Sequence, residues 1–238
     1  MNKTLQQSVR AYDELHALDN RLMLEWYPAR VAALANGPSM LELGIGHGFT
    51  ANFFARHFQP YRVIDGSPEM IARFRERFDL PQVDIVEAWF EHYRSDERFD
   101  TIAMGFVLEH VDDPGLILRH YRSLLKASGA VFVAVPNAEA LHRRFGHAAG
   151  LLPDMTALSE ADRQFGHQRY FTLGSLRSLC ESEGYRVVQA EGILLKPVTT
   201  GQLEQLQLAP VVLQGMLEVG VEYPELSNAI LLKLEPND

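Results

Sequence analysis

One cysteine, Cys180, is all that 238 residues contain, so no internal disulfide can form. A lone thiol suits a reducing compartment. With no triad-like neighbours in sequence, it reads as a buried helix residue and not a nucleophile. Basic residues are also scarce: 22 Lys and Arg against 31 Asp and Glu give a formal net charge of −9. Nucleic-acid surfaces use Lys and Arg to replace condensed counterions, so this balance argues against a nucleic-acid partner, with a local basic patch left open. Long apolar runs are missing. The apolar stretches are strand-length and broken by charge, short of the ~20 residues that span a bilayer. Residues 1–7 carry no apolar signal core. These absences predict a cytoplasmic protein that engages no membrane. Repeats and low-complexity tracts are absent too. What is present is ordinary for a globular chain, 47% hydrophobic and 22% charged, at a length suited to one domain with an insertion or a lid.

The most informative segment is M-L-E-L-G-I-G-H-G at 40–48. An apolar run carries Glu42, glycines alternate at Gly44, Gly46 and Gly48, and a helix-like segment starts at Phe49. That is the pattern of a parallel strand turning tightly into a helix. The glycines let the backbone approach a ligand. The helix start offers N–H groups and partial positive charge to a carboxylate or phosphate. The dinucleotide fingerprint is spaced G-x-G-x-x-G, whereas this chain has G-x-G-x-G. Y-R-V-I-D at 61–65 reads as a second strand ending in an acid, about 20 residues on, where a carboxylate can accept from both ribose hydroxyls. Gly66 follows, then Ser67 as N-cap and Pro68 at the first helical position. V-D-I-V at 83–86 looks like a short strand, with E-A-W-F at 87–90 off its end. F-D-T-I-A-M-G-F at 99–106 is a continuous apolar strand leading into V-L-E-H-V-D-D-P at 107–114, and G-A-V-F-V-A-V-P-N at 129–137 is another.

Taken in this order, these strings resemble the class I S-adenosylmethionine-dependent methyltransferases of the small-molecule type. E-x-G-x-G-x-G is similar to their motif I, and V-L-E-H-V-x-D-P to the signature after their fourth strand. The resemblance covers 40–137 and continues more loosely over 167–196. It implies an α/β, Rossmann-like, doubly wound, mostly parallel seven-stranded sheet with the last strand antiparallel, a helical N-terminal segment folded over the cofactor, and a helical lid insertion. It implies S-adenosylmethionine as cofactor and S-adenosylhomocysteine as product. Carried over by position, Glu42, Gly44 and Gly46 lie beside the amino-acid tail and His47 lines the methionine end. Asp65 takes the ribose, with Gly66, Ser67 and Met70 beside it. Glu87 accepts from the adenine amine, where the family more often has Asp, and the Ala88 N–H meets the ring. Trp89 and Phe90 pack on adenine or in the core. Phe106 and His110 belong to the cofactor side of the fourth strand end. Tyr12 closes on the methionine carboxylate, or simply packs.

The implied units are a cap at 1–36, a cofactor-binding core at 37–137, a lid at 138–175 and a return to the core at 176–238 with a helical excursion at 197–225. Residues 4–36 read as two helices with a break near Asp19 and Asn20, an apolar stripe of Leu22, Met23, Trp26 and Val31, and a kink or helix start at Pro28. Alternating strand and helix over 39–137 predicts right-handed crossovers, with ligand at the carboxyl ends of the strands. After Asn137 that rhythm stops. A helix at 175–183 and a strand at 185–191 resume it, one helix covers 201–221, and a last strand covers 226–234.

Methyl transfer from a sulfonium is an in-line displacement in which alignment can supply ~7–11 kcal/mol of the barrier. A hydroxyl acceptor wants a general base and an amine must lose its proton, and histidine suits both near neutral pH. Among 9 histidines, His167 is preferred as base or acceptor-binding residue and His142 is next. His142, Arg143, Arg169 and Tyr170 are the acceptor-binding candidates. The cations gathered at 142–147 and 167–169, with Lys196, point to an anionic acceptor such as a sugar acid or nucleotide-linked sugar, or else to a solvated basic face. His110 with Asp112 and Asp113 could be cast as a divalent-metal site. A turn and helix start explains Asp112-Asp113-Pro114 better, so no metal is expected. The competing classes are an NAD-dependent oxidoreductase, disfavoured by the glycine spacing, a non-catalytic S-adenosylmethionine-binding module, and a protein or RNA methyltransferase, disfavoured by the charge and by the lack of an N-P-P-Y motif. The expected partner is a small-molecule acceptor, and the expected state is monomer or homodimer, with 197–225 packing on the lid or forming the dimer contact.

Overall fold

A computed structural model describes residues 17–237. Seven strands form one sheet: β1 (Met40–Leu43), β2 (Tyr61–Asp65), β3 (Asp84–Glu87), β4 (Phe99–Gly105), β5 (Leu125–Pro136), β6 (Tyr185–Ile193) and β7 (Ala229–Pro236). Their order is β3-β2-β1-β4-β5-β7-β6. Neighbours are parallel except for β7, which runs antiparallel to both β5 and β6. This is the doubly wound Rossmann-like sheet that the motif order implies. Between the strands lie α1 (Ala17–Leu34), α2 (Phe49–Phe54), α3 (Pro68–Arg77), α4 (Pro114–Arg122), α5 (Leu141–Ala148), α6 (Glu160–Phe165), α7 (Leu173–Ser182), α8 (Thr200–Gln205) and α9 (Pro210–Gly220).

Strand side chains alternate between two faces, and here both faces are covered. Leu41, Leu43, Ile102 and Met104 enter one core, while Met40, Val63, Ala103 and Phe132 enter the other. That double coverage explains why 130–135 is apolar at every position and fully buried. Local signals fix the helix starts. Ser67 Oγ accepts from Met70 N at 3.3 Å ahead of Pro68. Asp113 Oδ1 accepts from Leu116 N at 2.9 Å ahead of Pro114. Cys180 is buried in α7, and burial pushes its thiol up to about 12.

Several boundaries differ from expectation, three of them in helices. Helix α1 runs unbroken through Asp19 and Asn20, with Pro28 inside it. Asp19 lies in its first turn, where a carboxylate favours the helix dipole. Tyr27 and Val31, both buried, hold the stretch around Pro28 in place. The other helix expected in that region, and Tyr12, lie outside the described residues. The single helix expected over 201–221 is two, α8 and α9. Gln207 adopts φ 46° between them, and Pro210, lacking an N–H, starts α9. Helix α7 begins earlier than expected because Thr172 and Ser175 form a reciprocal cap.

Candidate active site

A cavity of about 390 Å³ opens at the carboxyl ends of β1, β2, β4 and β5. The β1–α2 turn forms its floor. Gly44, Gly46 and Gly48 all have positive φ, at 82°, 46° and 77°. Their reasons differ. A Cβ on Gly46 would meet nothing within 4 Å, whereas one on Gly48 would sit 2.6 Å from the rings of Phe74 and Phe78. Gly46 therefore keeps backbone open to the cavity, and Gly48 lets α3 pack.

Asp65 bridges the turn and the second strand. Its Oδ2 accepts from Ile45 N and its Oδ1 from Ser67 N, each at 2.8 Å. Burial raises its pKa, and these two N–H bonds oppose the shift. Glu42 is fully enclosed beneath it. Burial pushes Glu42 up to about 7 against hydrogen bonds from Thr50 and Tyr61, and Asp65 raises it further. Trp89 lies against Gly66, where a Cβ would be 3.2 Å from its ring. His47, Met70, Phe106 and His110 also line this half. Glu87 and Ala88 do not: Glu87 is exposed at the end of β3, and the Ala88 N–H donates to the Asp65 carbonyl at 3.1 Å.

The opposite half is walled by His142, Arg143, Asp162, His167 and Tyr170. His167 Nδ1 sits 3.3 Å from Asp162 Oδ1. Asp162 accepts hydrogen bonds from Ser159 N at 2.7 Å, from Ser159 Oγ at 2.6 Å and from Tyr170 OH at 3.0 Å. Burial would raise the Asp162 carboxyl, but His167 and Ser159 hold it well below the usual range. The His110 and His167 rings meet edge to face at 4.8 Å. Burial, then the neighbouring His167, bring His110 down to about 3, so it is a neutral imidazole.

Glu109, part of the V-L-E-H string, has no sequence-derived role, yet it is the most anomalous group in the cavity. Its carboxyl is buried, and among the described residues neither oxygen has a hydrogen-bond partner. Burial pushes it up to about 7, with His167 and Arg169 pulling the other way. Glu109, His110 and His167 offer ligand atoms within 4.8 Å of one another, a grouping of the kind that could hold a metal ion. Asp112 and Asp113 are not in it: Asp112 accepts from Gln168 Nε2 at 2.9 Å, and Asp113 caps α4.

Two of the cations of 142–169, Arg143 and Arg169, are turned onto the chain's own carbonyls. Arg143 donates to the carbonyls of Ala138, Met155 and Ala157 at 3.1, 2.7 and 3.0 Å and lies over the Tyr170 ring. Arg169 donates to the carbonyls of Leu108, Val111 and Asp112 and is not on the cavity wall. Asp19, Lys196 and Thr200 are on that wall. Asp19 and Lys196 are 177 residues apart, so no spacing in the sequence could pair them.

Comparison with known proteins follows the same lines. A family model described as a methyltransferase domain matches residues 15–190. Ubiquinone biosynthesis O-methyltransferases of Xanthomonas campestris (strain B100) and Xylella fastidiosa are each 35% identical over 127 residues, 52% of this chain and 52% and 50% of theirs. The chain thus aligns with about half the length of these curated relatives. Among solved structures, an S-adenosylmethionine-dependent methyltransferase of Thermotoga maritima, described as a possible histamine N-methyltransferase, matches with TM-score 0.68 at 18% identity over 97% of both chains. The 1,6-didemethyltoxoflavin-N1-methyltransferase of Burkholderia thailandensis, solved with its substrate and S-adenosylhomocysteine, matches with TM-score 0.64 at 16% identity over 99% of this chain and 88% of its own. Motifs, sheet order and family match agree: the chain belongs to the methyltransferase domain family, of the class I S-adenosylmethionine-dependent type.

Proposed function

We propose that this chain is an S-adenosylmethionine-dependent methyltransferase acting on a hydroxyl or amine of a small acceptor. The observation that carries the reading is that the Asp65–glycine half and the His167 half share one cavity. The residues present fit the cofactor. Gly46 leaves backbone open, Asp65 is fixed by two N–H bonds, and Gly66 lets the Trp89 ring lie close against the backbone at the cavity wall. In this reading Asp65 holds the ribose, Gly44, Gly46 and His47 the amino-acid tail, and Met70 and Trp89 the adenine. When bound, the cofactor supplies an already activated methyl carbon.

The chain's own part is to bind, align and manage one proton. His167 has Nδ1 3.3 Å from Asp162 Oδ1, close but without hydrogen-bond geometry, and a small ring rotation would give the base-and-orienting-carboxylate arrangement with Nε2 left for the acceptor. Residues 138–175 act as the lid and α1 as part of the cap, excluding water. The relatives' name favours a hydroxyl, and the Thermotoga neighbour's keeps an amine in view. An anionic acceptor loses its support, because Arg143 and Arg169 spend their donors on lid and loop carbonyls.

Calorimetry tests the reading. S-adenosylhomocysteine should bind and NAD should not. Asp65→Ala should weaken S-adenosylhomocysteine by about 1.5–3 kcal/mol, the range for a hydrogen bond to a charged group. Unchanged affinity in that variant, or tight NAD binding, would overturn it.

A further inference from the structure

Helix α1 crosses the rim of the sheet one turn at a time. Tyr27 lies against Gly105 at the end of β4, where a Cβ on the glycine would be 2.8 Å from the tyrosine ring. One turn back, Met23 Sδ meets Asn228 Nδ2 at 3.3 Å, just before β7. One turn further back, Asp19 meets Lys196, just beyond β6. Asp65 and Trp89 sit toward the other edge of the sheet, so Asp19 lies at the acceptor end of the cavity.

There, three buried polar groups close on each other. Lys196 Nζ donates to Asp19 Oδ2 and to Thr200 Oγ1 at 2.8 Å, and Thr200 Oγ1 donates to Asp19 Oδ2 at 2.7 Å. All three side chains line the cavity, and none exceeds 6% exposure. The set is left incomplete. Among the described residues, buried Asp19 Oδ1 has no hydrogen-bond partner. Lys196 has three N–H donors, and two are directed at Asp19 and Thr200. A desolvated ion pair is weak support for stability, and an unmet carboxylate oxygen makes it weaker.

We propose that Asp19, Lys196 and Thr200 form a distal anchoring subsite for the acceptor, reading a neutral group that both donates and accepts, a hydroxyl or a carboxamide. The inference rests on the methyltransferase reading above. Asp19 Oδ1 takes the group's proton in a hydrogen bond, and the remaining Lys196 N–H donates to its oxygen. A carboxylate fails at this position because Asp19 repels it and the pair as a whole carries no net charge.

Three para-substituted phenols test this: 4-hydroxybenzamide, 4-hydroxybenzoate and 4-methylphenol. Binding to the protein loaded with S-adenosylhomocysteine is read by calorimetry, and turnover by release of S-adenosylhomocysteine. The amide should be preferred at least tenfold over the other two. Removing one partner strands a buried charge, so the main variant is the pair Asp19→Asn with Lys196→Met, and Thr200→Val is the milder control. The pair should abolish the preference and leave S-adenosylhomocysteine affinity within twofold. An equal or better benzoate, no discrimination among the three, or a preference that survives the pair overturns the subsite. Loss of S-adenosylhomocysteine binding by the unaltered chain sinks the underlying methyltransferase reading instead.

Discussion

Single residues divide here between those that shape the backbone and those that carry charge. Gly46 and Gly48 are two positions apart and should fail differently. Gly46→Ala forces a side chain into φ 46° with open space around it, costing about 1–2 kcal/mol. It should weaken S-adenosylhomocysteine more than it lowers Tm. Gly48→Ala adds a clash with two aromatic rings and should lower Tm first; calorimetry and thermal unfolding on both variants separate the two effects. Glu109 makes a prediction of opposite character. Its carboxyl is raised from 4.5 to about 7, so the folded state holds the proton more tightly than the unfolded one. Stability from this group is therefore greatest below pH 4.5 and falls as pH rises to about 7, by about 3 kcal/mol at 1.36 kcal/mol per unit. Glu109→Gln should flatten that fall in urea titrations across the window. An unchanged slope would mean that the carboxyl is not shielded. His167→Gln removes the proposed base, and on that proposal kcat should drop by about 10²–10⁴ while S-adenosylhomocysteine affinity holds.

At the scale of elements, the ion pair between α1 and β6 is the clearest lever. Arg30 donates to Glu191 at 2.8 and 2.6 Å, and Glu191 is 1% exposed. Arg30→Met leaves that carboxylate buried with only Gln189 beside it, which should cost about 3 kcal/mol in denaturant unfolding. The elements also mark how far the sequence could be read. The strand–turn–helix units from 40 to 137 were legible because local patterns define them: alternation, N-caps and glycines within a few residues. Asp65 and the glycine turn came with them. On the cavity's far wall His142, Arg143, His167 and Tyr170 were legible as candidates, but the groups that partner them were not. Asp162, Lys196 and Thr200 matter through partners distant in sequence or through a cap no periodicity announces. The lid cations misled for the same reason. Arg143 and Arg169 read as free charge in a string of letters, but folding supplies them with carbonyls.

At the scale of the molecule, a single small volume has to hold both cofactor and acceptor. A ligand that binds only the folded state stabilises it by mass action, so S-adenosylhomocysteine at 100 times Kd should raise stability by about 2.7 kcal/mol. Thermal unfolding with NAD at equal concentration should show no such gain.

The roof of that volume has an odd chronology. Helix α1 is made before every strand of the sheet, yet two of its charged partners emerge far later: Glu191 lies 161 residues after Arg30, and Lys196 lies 177 after Asp19. Chains are made from the N-terminus at about 5–20 residues per second. For roughly 8–35 seconds of synthesis the nascent helix lacks these two charged partners, although Tyr27 can already pack on Phe54 and Gly105. Closure of the far end is thus a late event in the synthesis of each polypeptide, and a translation product halted before β6 would carry every glycine and acid of the nucleoside half yet lack the partners of Arg30 and Asp19.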